Sequence, residues 1–74
     1  MFVKIIRNKR ESLFPCINTD YEIVNDNAIV TIYQITGEAI TEEVQCIPEN
    51  IIYFMNDFGR TVDRKIWRSV KWFS

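Results

Sequence analysis

The residues best suited to recognition crowd into the last part of the chain. Arg60, Arg64, Lys65, Trp67, Arg68, Lys71, Trp72 and Phe73 interleave cations with aromatic rings. Such a set suits two jobs. Arg and Lys can hold phosphates while Trp stacks on a base. Alternatively, Trp, Tyr and Arg can anchor a protein interface. Arg64, Trp67, Arg68, Lys71 and Trp72 are therefore the candidate partner- or ligand-binding residues, with Tyr53 and Phe58 as neighbours. No RNP, helix-turn-helix or zinc-module pattern accompanies them. The net charge of −1 disfavours general DNA binding. A protein interface is the first expectation. A small anionic ligand such as a nucleotide is the second, and nucleic acid is the third.

What the chain lacks points away from catalysis. It has no His, the commonest general base and a common metal ligand. Cys16 and Cys46 stand 30 residues apart with no further soft ligand, so neither a metal site nor a cofactor is expected. With only Gly37 and Gly59, there is no glycine-rich phosphate loop. Asp57-Phe58-Gly59 matches the magnesium-binding tripeptide of kinases, but 74 residues do not hold the rest of that fold. The expectation is a protein that is not an enzyme. No apolar run is long enough to span a membrane, and Met1–Arg7 is too charged for a signal peptide. A cytoplasmic chain with reduced thiols follows. Each Cys reads as a small buried hydrophobe, with a Cys16–Cys46 bridge and a reactive thiol as the alternatives.

Charge is sorted along the chain. Residues 1–10 carry Lys4, Arg7, Lys9 and Arg10 and no acid. Residues 11–57 carry nine carboxylates and no base. Residues 58–74 carry five bases against Asp63. Pairing an end strand with a middle strand would gain favourable cross-strand contacts. If the ends lie together instead, they form a basic pole on an acidic body. The acidic middle could also face a basic partner, although solubility explains it as well.

Turn signals divide the chain into short apolar segments. Asn8-Lys9-Arg10, Asn25-Asp26-Asn27, Thr36-Gly37-Glu38 and Asn56-Asp57-Phe58-Gly59 carry residues that tolerate tight hairpins. The last fits a type I turn ending on a left-handed Gly, followed by a bulge. Strands are predicted near 2–7, 12–17, 21–25, 28–35, 39–47, 51–56 and 60–69. Pro15 and Pro48 belong at strand ends, bulges or edges. The predicted fold is a single all-β domain over 1–74. It is a small antiparallel meander of six or seven strands, curled into a barrel or sandwich. The alternative is α+β, with a helix near 48–58 that starts at Pro48 and is capped by Gly59. Residues 61–73 also fit either a helix or a strand.

Ile51-Ile52-Tyr53-Phe54-Met55 is apolar on both faces as a strand, and one thin sheet cannot cover both sides. Trp67, Trp72 and Phe73 add aromatic area near the end. A homo-oligomer, most simply a two-fold dimer, is expected to use these residues.

Over Ile52–Arg64 the chain resembles small bacteriophage accessory proteins, which often end in an aromatic–Met-Asn-Asp–x-Gly–x-Thr–aliphatic–Asp hairpin. The similarity covers about a fifth of the chain. It implies a phage or prophage source, a β-rich fold, no enzyme activity, and action by binding host machinery or host defence. No functional residue carries over, because none is assigned in that group. The combined expectation is a non-enzymatic binding protein that occupies a host protein or sequesters a small anionic ligand. The alternatives are a small nucleic-acid-binding β-barrel and a structural oligomer with no ligand.

Overall fold

The apolar segments fold as seven antiparallel strands in a computed structural model that describes residues 1–68. They are β1 (Phe2–Arg7), β2 (Arg10–Pro15), β3 (Asn18–Val24), β4 (Asn27–Tyr33), β5 (Ala39–Gln45), β6 (Ile51–Met55) and β7 (Thr61–Ile66). Two sheets result, a four-stranded one in the order β2-β1-β6-β7 and a three-stranded one in the order β3-β4-β5. The sheets remain separate, so the fold is a sandwich rather than a closed barrel. Hairpins join β1 to β2, β3 to β4, β4 to β5 and β6 to β7, the β2–β3 and β5–β6 connections cross between the sheets, and the one long-range pairing sets β1 against β6.

Turn chemistry decides where each hairpin reverses. Asn8 and Lys9 both take left-handed φ, 54° and 64°, as a two-residue primed turn requires. That tight turn lets β2 begin at Arg10, two residues before its predicted start. Asn25 adopts φ 56° between β3 and β4. The Asn56 side chain accepts bonds from the N–H of Phe58 at 2.9 Å and of Arg60 at 3.0 Å. Gly59, at φ 78°, completes that turn, and a bulge follows at Phe54/Met55 in the β6–β7 ladder.

The helix considered over 48–58 does not form. Residues 48 and 49 make a turn, and Ile51–Met55 is a strand with partners on both sides. Ladder bonds to β1 and β7 satisfy its backbone, and Ile52 and Phe54 alternate inward. The helical alternative for 61–73 likewise fails over Thr61–Ile66.

Between the sheets lie Val3 and Ile5 of β1, Ile52 and Phe54 of β6, Ala28, Val30 and Ile32 of β4, Val44 of β5, and Cys16. Tyr21 meets Phe54 edge to face, with ring centroids 6.0 Å apart. Asn50 is the one buried polar residue among those described. Its side-chain amide donates to Gln45 O at 2.8 Å and ties down the β5–β6 connection.

The thiols lie at opposite ends of the sandwich. The N–H of Ile17, just after Cys16, bonds Tyr33 O at one end of β4, while Cys46 N–H bonds Asp26 O at the other end. The length of β4 separates them by roughly 20 Å, well beyond the ~7 Å limit for Cα atoms in a disulfide. Both cysteines are free, and burial pushes each thiol above its ordinary pKa. The reading as small hydrophobes fits Cys16 fully and Cys46, which is half-buried, in part.

Pairing β1 with β6 gathers the basic ends into one sheet. Lys4, Arg7, Arg10, Arg64 and Lys65 all belong to the four-stranded sheet, whereas the three-stranded sheet carries Asp20, Glu22, Glu42 and Glu43 and no base. The attraction expected within a ladder is present between Lys4 and Glu11 of β1 and β2, and a second one acts across the sandwich. Arg7 Nη2 bonds Glu42 Oε1 at 2.9 Å and Arg7 Nη1 bonds Glu43 O at 2.6 Å.

Candidate functional site

The register splits the sequence-predicted residues into separate places. Tyr53 and Arg64 are direct cross-strand partners on the outer face of the four-stranded sheet. Lys4 joins them, its Nζ 4.8 Å from the centre of the Tyr53 ring and 3.2 Å from Glu11 Oε1. Trp67 follows β7 and packs half-buried against the core, so much of its ring is docked rather than presented. Arg68 beside it is exposed. Phe58 sits at the far end of β7, on the tip of the β6–β7 turn, and is 91% exposed. Lys71 and Trp72 lie outside the described residues.

Phe58 has company that the sequence reading did not single out. The strands run so that the amino terminus, the β2–β3 connection, the β4–β5 turn and the β6–β7 turn share one end of the sandwich. At that end Ile35 is 87% exposed and Ile17 is 58% exposed. Both line a mainly apolar concavity of about 400 Å³ with Met1, Phe2 and Pro15. The Met1 amino group bonds Asp57 Oδ1, which fastens the turn bearing Phe58 to the concavity wall.

These apolar side chains stand on constrained backbone. Gly37 N–H bonds Gln34 O at 2.9 Å and Gln34 N–H bonds Glu38 O at 2.8 Å, closing the turn that carries Ile35. The Asn56 bonds do the same for Phe58. Ile17 N–H bonds Tyr33 O at 2.8 Å. A large apolar residue held in water by a hydrogen-bonded turn gains nothing from folding at that position. The signal was present in the sequence as Ile35 set directly before Thr36-Gly37. Turn residues otherwise run polar, so an Ile there is out of place.

No family model, curated protein or solved structure matches the chain.

The remaining polar groups are held locally. Lys65 points inward from β7, with Nζ 5.1 Å from the centre of the Tyr21 ring and 3.2 Å from Asp63 Oδ2. The bond from Lys65, then the Arg64 N–H at 2.8 Å, hold the Asp63 carboxyl below the usual carboxylate range. A polar concavity of about 560 Å³ at the β1–β2 turn is lined by Arg7, Asn8, Arg10 and Ser12, but Arg7 is already bonded to Glu42 and Glu43. Among the described residues no group of three or more Cys, Asp or Glu is placed to hold a metal ion. No helix among them is long and apolar enough to cross a membrane.

On the acidic outer face, the Tyr33 hydroxyl donates to Asp20 Oδ2 at 2.6 Å. This bond, and then the carboxylate charge, raise the phenol above its ordinary pKa. Because the folded value is raised, the bond's contribution is complete below about pH 10 and is lost as pH rises through the folded value. Burial raises the Tyr21 phenol as well, so ultraviolet titration of tyrosinate should show a late phase that loses one of its two tyrosines in Tyr33→Phe and has that tyrosine move to lower pH in Asp20→Asn. A late phase unchanged by Asp20→Asn would contradict the bond.

Proposed function

We propose that this chain is a non-enzymatic binding protein that engages a protein partner through its loop end, with Phe58 and Ile35 as anchors. One observation carries the reading. Large apolar side chains stand exposed on short, hydrogen-bonded turns around an apolar concavity. Anchors of this kind lose little freedom on binding and exchange water for partner surface, which makes a few residues dominate an interface. The resemblance to phage accessory proteins supports a host protein as that partner. Arg60 shares the Phe58 turn and can serve as a rim beside that anchor, whereas Arg64 on the outer face of β7 and Arg68 beyond its other end form a separate surface in this reading.

A small anionic ligand such as a nucleotide is the second reading. The concavity beside Arg10, Asn8 and Ser12 favours it. Salt and substitution together separate the two.

The test is affinity capture from bacterial lysate with the full chain and with Phe58→Asp and Ile35→Asp, at low and moderate salt. Loss of anchors of this kind should weaken capture of a specific protein by about 30-fold or more. Salt should change that capture little. If Phe58→Asp and Ile35→Asp recover the same proteins as the parent chain, the loop end is not the binding site. Recovery of nucleotides that falls steeply with salt and with Arg10→Ala would favour the second reading.

A further inference from the structure

We infer that the outer face of the four-stranded sheet packs against the same face of a second copy of this chain, about a two-fold axis parallel to the strands. This is independent of the loop-end reading and uses a different surface.

The two sheets present unlike outer faces. On the three-stranded sheet, Asp20, Glu22, Thr31, Thr41 and Glu43 point outward around Ile29 and Tyr33, so the face is mainly polar. On the four-stranded sheet, one outward row is Leu13, Lys4, Tyr53 and Arg64. The row beside it is Glu11, Ile6, Ile51 and Ile66. Leu13 is 55% exposed and Ile66 is 41% exposed. Antiparallel sandwiches ordinarily turn a polar face to water. Here one sheet does so and the other does not. Among the described residues the seven strands form only these two sheets, so no third layer covers the apolar face.

Charge selects the occupant and the axis. Lys4 is already paired with Glu11 and lies against Tyr53, so it needs no new counter-ion when the face is covered. An axis parallel to the strands sets β1 over β6 of the copy and β2 over β7. Lys4 then meets a second Tyr53. Arg64 meets Leu13, with Glu11 diagonally next to it. An axis perpendicular to the strands and through the row of Lys4 and Arg64 would set Lys4 on Lys4 and Arg64 on Arg64, a like-charge clash, and one between the two rows would set Arg64 over Ile66 with neither row's carboxylate near it. The acidic outer faces repel each other, so the assembly stops at two copies instead of growing into a filament.

Area sets the strength. Four strands about 4.8 Å apart and about 20 Å long give a flat face of about 400 Å². That is about half of the ~800 Å² per partner in a standard interface. A reversible dimer that dissociates in the micromolar range is the expected result.

Sedimentation of the full chain across a dilution series should show a monomer–dimer equilibrium at about 1–100 μM. Leu13→Arg sets a new cation against Arg64 of the copy. Because Leu13 lies exposed on an edge strand, the variant keeps its fold, verified by an unchanged unfolding midpoint. It should weaken the dimer by at least about tenfold. Phe58→Asp, at the loop end, should leave the dimer intact. Orientation is read by oxidation: a mixture of Leu13→Cys and Arg64→Cys chains should form a covalent heterodimer that neither forms alone, against the background set by Cys16 and Cys46 of the parent chain. A monomer throughout, a dimer indifferent to Leu13→Arg, or a covalent dimer of Arg64→Cys alone would each overturn the proposal.

Discussion

Ile52→Ala is expected to lower the unfolding free energy by about 2–5 kcal/mol, whereas Ile51→Thr, one residue earlier, should cost about 1 kcal/mol or less. The two residues are neighbours in one strand but face opposite ways. Ile52 is fully buried between the sheets, opposite Ile5 of β1 and Lys65 of β7. Truncating it removes apolar contacts and leaves a cavity that close-packed strands cannot collapse around. Ile51 lies on the outer face and is only half-buried. A domain of this length holds a total stability of about 4–11 kcal/mol. The buried substitution therefore takes a large share of it and the outward one does not. Urea unfolding, read at a concentration below the dimer range, measures both midpoints. Equal losses would contradict the alternation along β6 and would fit a helix that placed both residues on one face.

The hairpins were legible because their causes are local. Asn8-Lys9 and Asn56–Gly59 carry residues whose backbone preferences match the turns they make, and the three-residue loop with its bulge formed as the residue types demand. The apolar runs between turns marked all seven strands, with ends displaced by up to three residues, as at the start of β3 and the end of β7. Pairing was less legible. Any two apolar strands can share a ladder, and nothing local states that β1 chooses β6 across most of the chain's length. The segregated charges allowed both arrangements considered. Attraction acts both within a ladder, between Lys4 and Glu11, and between layers, through Arg7. The candidate site was legible only in part. Cations interleaved with aromatics are divided between two faces once a strand alternates: Arg64 points outward beside Tyr53, while Lys65 points inward and Trp67 settles on the core. Phe58 was visible as an aromatic in a turn. The sequence pattern places Ile17 and Ile35 in strands, and their exposure depends on β2 ending at Pro15 and β4 at Tyr33.

Arg7→Met should cost about 1–2 kcal/mol, and adding Glu42→Leu should recover part of that loss. Arg7 ends β1 and spans to the opposite sheet, where one nitrogen bonds Glu42 Oε1 and another bonds the Glu43 carbonyl. Glu42 lies opposite Val30 in the ladder, on the side of β5 that faces the other sheet, and only 22% of its side chain is exposed. A carboxylate in that position has lost part of its hydration, and the guanidinium replaces it. Removing the cation alone leaves the partly dehydrated charge uncompensated, which costs more than the pair contributes net. Removing both leaves an apolar contact between the layers. The Arg7 side chain is about a third exposed, so solvent screening keeps the effect well below that of a fully buried pair. Arg7→Lys separates charge from shape. It keeps the positive charge but not the planar fork that reaches two acceptors, so its loss should fall between those of the parent chain and Arg7→Met. The double-substitution cycle, run at low and high salt, measures the coupling directly. Additive losses for Arg7→Met and Glu42→Leu would show that the two sheets are held by apolar packing alone and that the sorting of charge along the chain does not help join them.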